Sequence, residues 1–163
     1  LVILEVPYRV SRPLPFPLGK PVIVVGDSLA MALETGVDPW PRQWGRSAGL
    51  AVTSFAAGGK RVGGTTEDAR RIAETDASVL IEIGGNDELA AVSARQFEQD
   101  LAALLQAVCT PGRAVAMFEL PLIPFYNRYG AAQRRYAREY GIVLIPKARL
   151  ASILVSCFLF SLN

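Results

Sequence analysis

Short apolar runs alternate with amphipathic stretches along most of this chain. The first run, PVIVV at 21–25, is wholly apolar and rich in β-branched residues, which is typical of a parallel strand buried on both faces. Four further runs of this kind cover 50–55, 78–83, 113–119 and 142–145. Strands that alternate with helices predict an α/β fold, here a three-layer α/β/α sandwich on a five-stranded parallel sheet.

The helices between these strands are predicted from caps and apolar spacing. One helix is expected from Leu29 to Gly36, and another from Pro39 to Gly49 with Asp38 as its N-cap. Thr66 is expected to cap a third helix, and Ser93–Gln96 is a capping box that opens a fourth. That fourth helix has one apolar face, formed by Phe97, Leu101, Leu104, Leu105 and Val108. Two more helices are expected, at 125–140 and from 147 to 154.

Three unusual loops follow predicted strands. They are the GDS segment at 26–28, a glycine-rich loop at 56–66 and the GGND segment at 84–87. In open parallel sheets, binding sites form in the loops at the carboxyl ends of the strands. All three loops are therefore expected at one edge of the sheet, where their polar groups can meet.

Each loop contributes one chemical group, and each group also has a plainer explanation. Ser28 is a candidate nucleophile at the start of a helix, or only an N-cap. Gly58 or Gly59 can bring a backbone N–H close to a ligand, or only form a turn. Asn86 can donate its amide to an oxyanion, or only cap a helix. Taken together, on successive strand ends, they predict the nucleophile-and-donor half of an acyl-transfer site.

Composition narrows the function classes. Apolar residues make up 51% of the 163 residues and charged residues 20%, which is typical of a globular protein. The net charge of only +2 argues against a nucleic-acid partner, and the arginines near 128–138 are interpreted as a solvated helix face. The chain has no histidine, and its two cysteines lack metal-ligand spacing. No metal and no cofactor are therefore expected.

The three loops also resemble the sequence blocks of the SGNH/GDSL hydrolase superfamily. Gly26-Asp27-Ser28-Leu29 is similar to the first block, Gly59 to the glycine of the second, and Gly84–Asp87 to the third. The resemblance covers about 21–150 and is strongest to the bacterial thioesterase, lysophospholipase and arylesterase group. It implies a flavodoxin-like SGNH hydrolase fold and a serine esterase that acts on small carboxylic esters or thioesters.

The resemblance also implies roles for individual residues. Ser28 would be the nucleophile, and its N–H, the N–H of Gly59 and the amide of Asn86 would form the oxyanion hole. Gly58 is kept as an alternative donor, because Ser54 stands where the family often has asparagine at the start of the second block. Substrate contacts would come from the residues around these three: Asp27, Gly58, Gly85 and Asp87.

One family block is missing. The family carries Asp-x-x-His after the fifth strand, whereas this chain has no histidine and no aspartate after Asp100. Asp27 and Glu119 are candidate substitute bases, and both are disfavoured. Two explanations stay open: a truncated hydrolase, inactive or weakly active as given, or a pseudoenzyme domain that binds acyl or acetylated ligands. The apolar, uncharged tail at 155–163 favours truncation.

The two ends of the chain differ from its centre. Residues 1–20 are apolar and then proline-rich, and 155–163 form the atypical tail, so 21–154 is the expected hydrolase-like domain. The start is interpreted either as the remnant of an anchor or linker, which would suit an exported or membrane-tethered protein, or as an edge strand and loop. A dinucleotide-binding domain is disfavoured, because the first turn lacks Gly-x-Gly-x-x-Gly.

Overall fold

The protein is described by a computed structural model that covers residues 13–31, 38–120, 127–147 and 149. Its strands, labelled β1 to β5, are Val22–Gly26, Val52–Ser54, Ser78–Glu82, Val115–Phe118 and Val143–Ile145. They form one sheet in the order β2-β1-β3-β4-β5, and every neighbouring pair is parallel. The five-stranded parallel sheet predicted from the apolar runs is confirmed.

Helices connect these strands. Those labelled α1 to α5 are Trp40–Ala48, Thr66–Ala73, Gly85–Leu89, Ala94–Val108 and Asn127–Glu139. Two short 3₁₀ segments lie at Ser28–Ala30 and Val62–Thr65. Most of the predicted helix after Ala30, and most of the one from 147 to 154, lie outside the described residues.

The sheet packs an apolar layer on each face, because successive residues of a strand point to opposite sides. On one face, β1, β3 and β4 pack against α2, α4 and α5. The core of that face includes Ile23, Val25, Ile72, Val79, Ile81, Phe97, Leu101, Leu105 and Met117. On the other face the buried residues are Val22, Val24, Ala30, Trp40, Leu80, Ala116 and Phe118. Helical residues on both faces confirm the three-layer sandwich.

The helix caps agree with the sequence analysis in one case and differ in two. The Ser93 hydroxyl accepts a hydrogen bond from the Gln96 N–H at 3.2 Å, as expected. The N-cap predicted at Asp38 is wrong, since Pro39 takes that position. Asp38 instead accepts from the Arg42 and Arg46 guanidinium groups. Thr66 is already helical, and Thr65 occupies the cap position.

The order of the strands places the three loops. From β1 the chain moves to β2 on one side, and the later strands are added on the other side, beginning with β3. Such a change of direction opens a crevice at the carboxyl ends of the two central strands, which is where ligands bind in open α/β sheets. Here those strands are β1 and β3, which lead into the GDS and GGND segments.

Both ends of the chain lie partly outside this description. Residues 13–20 precede β1 without regular structure, and Lys20 forms an exposed ion pair with Asp76 at 2.9 Å. Residues 1–12 and the tail at 155–163 lie outside the described residues, so the predicted division of the chain stays a prediction. Among the residues that are described, no helix has both the length and the apolar character to cross a membrane.

Candidate active site

The segment after β1, which we call the serine turn (27–31), presents Ser28 at the edge of the sheet. The Asp27 carboxylate accepts a hydrogen bond from the Leu29 N–H at 2.9 Å and so caps the 3₁₀ segment. Asp27 is only 2% exposed, whereas Ser28 is half-buried. Among the described residues, the Ser28 hydroxyl makes no hydrogen bond. Asp27 therefore performs the capping that was the plainer explanation for Ser28, and this leaves the hydroxyl available for other chemistry.

The glycine-rich loop begins with a tight turn at 57–60, which we call the glycine turn. The Lys60 N–H donates to the Ala57 carbonyl at 3.2 Å across it. Gly59 has a φ of +67°, a left-handed conformation that favours glycine, and both Gly58 and Gly59 are exposed. The Ala57 N–H lies 3.4 Å from the Gly26 carbonyl. That contact places the glycine turn beside the end of β1.

The lysine of the glycine turn ties the turn to α2. The Lys60 ammonium contacts the Asp68 carboxylate at 2.6 Å and also donates to the Phe55 carbonyl. Both charged side chains are only 14% exposed. The Arg71 guanidinium lies 4.3 Å above the Phe55 ring and packs on the chain just before the turn. The turn itself is solvent-exposed, but its anchors are partly buried.

The GGND segment forms α3 and approaches both turns. The Asn86 side-chain amide donates to the Lys60 carbonyl at 3.0 Å. An amide group has two N–H donors. Among the described residues the Asn86 amide makes this one hydrogen bond, so its second N–H has no partner there. A Cβ at Gly85 would lie 3.7 Å from the Asp27 carboxylate. The three loops therefore lie close together. The glycine turn contacts the end of β1, Asn86 contacts the glycine turn, and Gly85 lies beside Asp27 of the serine turn.

The acidic residues at this edge differ in how they are held. Asp87 is 1% exposed and accepts from the Val62 N–H at 3.0 Å. Its burial raises its pKa, and the Val62 N–H partly offsets that effect. Burial likewise raises the pKa of Asp27, with the Leu29 N–H acting in the opposite direction. Buried carboxylates of this kind have little surface for a ligand, and substrate contact by Asp27 or Asp87 stays a prediction.

Neither carboxylate considered as a substitute base is suited to that role. Glu119 is 1% exposed, and its carboxylate contacts the Arg134 guanidinium at 2.6 Å, which engages it in an ion pair. Asp27 uses one oxygen to cap the serine turn. The part of the chain that the structure describes also contains no group of three metal-ligating side chains.

Two residues at this edge were missed by the sequence analysis. Lys60 was not singled out, because nothing in the loop sequence shows that its ammonium folds back onto α2. Glu82, the last residue of β3, is 2% exposed, and one of its carboxylate oxygens is buried without a hydrogen-bond partner. A signal for Glu82 was available: it is the one ionisable residue in the apolar run SVLIEI at 78–83.

Comparison with known proteins identifies the family of this chain. Residues 24–153, most of the chain, match the profile of the GDSL-like lipase/acylhydrolase family. The chain belongs to this family. The family resemblance inferred from the GDS, glycine and GGND segments is therefore confirmed.

Individual relatives agree with the family assignment. In an alignment of 133 residues that covers 75% of this chain and 64% of the other protein, the chain is 32% identical to esterase TesA of Pseudomonas aeruginosa. Among solved structures, a crystal structure of TesA superposes with a TM-score of 0.67 at 22% identity, covering 85% of this chain and 97% of the other. AlinE4, an SGNH-hydrolase family esterase, gives 0.65 at 20% identity, with coverages of 78% and 76%. These structural matches show the shared fold.

Proposed function

We propose that this GDSL-family domain is a serine esterase for small carboxylic esters or thioesters, with Ser28 as its nucleophile. The observation that carries the proposal is the state of Ser28: it is half-buried at the switch point of the sheet, and its hydroxyl is not used in capping. In the proposed reaction, Ser28 Oγ attacks the acyl carbonyl and loses its proton to water or to added imidazole, which returns a proton to the departing alcohol or thiol. Water then releases the acyl group from the serine.

The oxyanion of this reaction is proposed to bind three donors. They are the Ser28 N–H, the Gly59 N–H and the second N–H of the Asn86 amide. The contact between Asn86 and the Lys60 carbonyl supports this, because it orients the amide beside the glycine turn. The left-handed φ of Gly59, a conformation that favours glycine, supports Gly59 rather than Gly58 as the loop donor. Gly85 is proposed to line the same crevice.

The base for Ser28 is not among the side chains of these residues. The sequence holds no histidine, the Asp27 carboxylate caps the serine turn, and the Glu119 carboxylate is ion-paired with Arg134. Loss of the triad histidine in a serine hydrolase costs on the order of 10⁶ in rate, while donors and binding alone retain roughly 10³–10⁴ over water. We therefore expect slow acylation of Ser28 by this chain, and we expect added imidazole to accelerate it.

A fluorophosphonate probe tests the proposal. One relative of similar fold, the esterase EstA from Pseudoalteromonas sp. (TM-score 0.63, 18% identity), is described as inhibited by monoethylphosphonate. We expect the purified chain to be labelled at one serine, at a rate that rises with imidazole concentration. Peptide mass spectrometry should place the label on Ser28, and Ser28→Ala should abolish it.

The control for this experiment is Ser47→Ala, which removes an exposed hydroxyl from α1. This variant should label like the unmodified chain. Labelling of another serine, or labelling that persists in Ser28→Ala, would reject Ser28 as the nucleophile. Binding of an acyl compound without any labelling would instead favour the pseudoenzyme explanation.

A further inference from the structure

Glu82 lies directly beneath the serine turn. It ends β3, and its Cα is paired with that of Gly26 on β1, so the two positions share one face of the sheet. A Cβ at Gly26 would lie 3.3 Å from a Glu82 carboxylate oxygen and 2.5 Å from the Ala30 Cβ. The glycine therefore leaves room for the carboxyl group of Glu82 and for Ala30 of the serine turn, which pack there against β1.

The surroundings of this carboxyl group do not suit a negative charge. Glu82 is 2% exposed, and its Oε2 atom is buried without a hydrogen-bond partner. Burying an unpaired carboxylate is so costly that such groups normally stay protonated. The neighbouring Asp27 is also buried and already accepts a hydrogen bond as the cap of the serine turn. Only one of the two acids can readily carry a charge here.

We propose that Glu82 is a positioning residue that works as a neutral carboxylic acid: it fills the space under the serine turn and holds Ser28 in place, while Asp27 carries the negative charge. The proposal rests on the proposed function only in that the turn it positions bears the nucleophile. Glu82 contacts neither substrate nor reacting atoms in this account. Glu82 affects the reaction indirectly, because it sets the geometry of the serine turn and, while protonated, adds no negative charge beside Asp27.

The charged groups around Glu82 agree with this assignment. Burial is the largest effect on Glu82 and the negative Asp27 is the next; together they raise its pKa to about 9, although the Asp27 N–H acts in the opposite direction. Glu88 is buried on α3, and several other ionisable groups that the structure describes at this edge are engaged elsewhere. They form the contacts Asp87 to Val62, Glu119 to Arg134 and Lys60 to Asp68.

Loss of the Glu82 proton would disturb both turn and reaction. Hydroxide would take the proton and leave a carboxylate beside the Asp27 carboxylate, and two like charges in a buried site repel each other strongly. The additional negative charge would also disfavour the oxyanion that the donors must stabilise. The site should therefore work only while Glu82 stays protonated, and activity should fall as the pH rises past about 9.

Carbon-detected NMR tests the proposal without requiring Ser28 to react. The Glu82 Cδ and Ser28 Cβ shifts would be followed from about pH 6 to about pH 11 in the unmodified chain, in Glu82→Gln and in Glu88→Gln. Glu88, a second buried glutamate at this edge, provides the control. We expect both shifts to move together with a midpoint near pH 9 in the unmodified chain and in Glu88→Gln. In Glu82→Gln, the Ser28 Cβ shift should not move at that pH.

Denaturation in urea provides a second readout. The pKa of Glu82 is raised from 4.5 to about 9 on folding, so its favourable contribution is complete below about pH 4.5 and is lost progressively up to about pH 9. The urea midpoint of the unmodified chain should therefore fall, relative to the midpoint of Glu82→Gln, as the pH rises from about 4.5 to about 9. Above about pH 9 the difference between the two midpoints should stay the same. A constant difference would contradict the proposal.

The outcomes separate this proposal from the proposed function. A Glu82 Cδ midpoint below about pH 7 overturns the positioning proposal, even if Glu82→Gln does not fold. A Ser28 Cβ shift that titrates unchanged in Glu82→Gln also overturns it. If Glu82 titrates near pH 9 but Ser28 is never labelled, the nucleophile is wrong and the positioning role stands. Where labelling occurs, its rate should fall above pH 9 in the unmodified chain and not in Glu82→Gln.

Discussion

The serine turn and the glycine turn flank the end of β1 but are held by different forces. The serine turn contains one buried acid, Asp27, which caps it, and packs on a second, Glu82, which has an unpartnered oxygen. The exposed glycine turn is held instead by the Lys60–Asp68 ion pair and by the Asn86 amide. Burial therefore holds the turn that carries the proposed nucleophile, whereas a buried ion pair and an amide contact hold the turn that carries a proposed donor. The first turn should respond to pH and packing, and the second to removal of a charge.

The largest effect is expected at Asn86, whose side-chain amide contacts the glycine turn. Replacement by alanine removes a proposed oxyanion donor and also the contact with the Lys60 carbonyl. Loss of one such donor typically costs about 10²–10³ in rate. The imidazole-assisted rate of fluorophosphonate labelling should fall by that factor in Asn86→Ala and stay unchanged in Gln99→Ala, an exposed amide on α4. A loss below about fivefold would remove Asn86 from the donor set.

The next largest effect is expected from overpacking under the serine turn. In Gly26→Ala the new Cβ would lie 2.5 Å from the Ala30 Cβ, so β1 and the turn must separate. Overpacking of a core typically costs about 1–3 kcal/mol of unfolding free energy. The matched glycine is Gly58 in the glycine turn, where a Cβ meets nothing within 4 Å. Urea denaturation should show that Gly58→Ala changes the unfolding free energy by no more than about 0.5 kcal/mol. Similar losses in Gly26→Ala and Gly58→Ala would contradict the difference in packing between the two turns.

The smallest effect is expected from the anchor of the glycine turn. Lys60→Met keeps most of the side-chain volume but removes the ammonium that contacts Asp68 and the Phe55 carbonyl. We expect a loss of about 1 kcal/mol in unfolding free energy, because the pair is partly buried. Arg70→Met provides the exposed control: this arginine pairs with Glu67 and Glu74 in solvent, so its loss should lower the unfolding free energy less than the loss of Lys60 does. Equal losses of unfolding free energy in the two variants would show that burial of the Lys60–Asp68 pair does not increase its contribution to stability.

The sequence predicted the strands and loops that form the site better than it predicted the contacts of individual side chains. The run at 21–25 and the four like it identify the strands, because a buried parallel strand needs a continuous apolar segment. The Ser93 cap was predictable because it depends on residues three apart in sequence. Asp38 was assigned wrongly, because the local cap pattern competes with ion pairs to Arg42 and Arg46 one and two helical turns away.

The missing details depend on contacts that are distant in sequence. Glu82 and Gly26 are neighbours only through the register of β1 and β3. The amide of Asn86 meets the carbonyl of Lys60, 26 residues earlier, only after both loops reach the same edge of the sheet. A pattern read along the chain identifies these residues as polar groups near strand ends. It does not give the partner of each group, which decides whether a carboxyl group keeps its proton.

The proposed nucleophile and oxyanion donors are tested most directly by a crystal structure of the chain after reaction with a small alkyl fluorophosphonate. We predict phosphorus bonded to Ser28 Oγ, with one phosphonyl oxygen accepting hydrogen bonds from the Ser28 N–H, the Gly59 N–H and the Asn86 side-chain amide. Each donor should lie about 2.7–3.1 Å from that oxygen. An adduct whose oxygen points to solvent, or one that forms on a different serine, would contradict it.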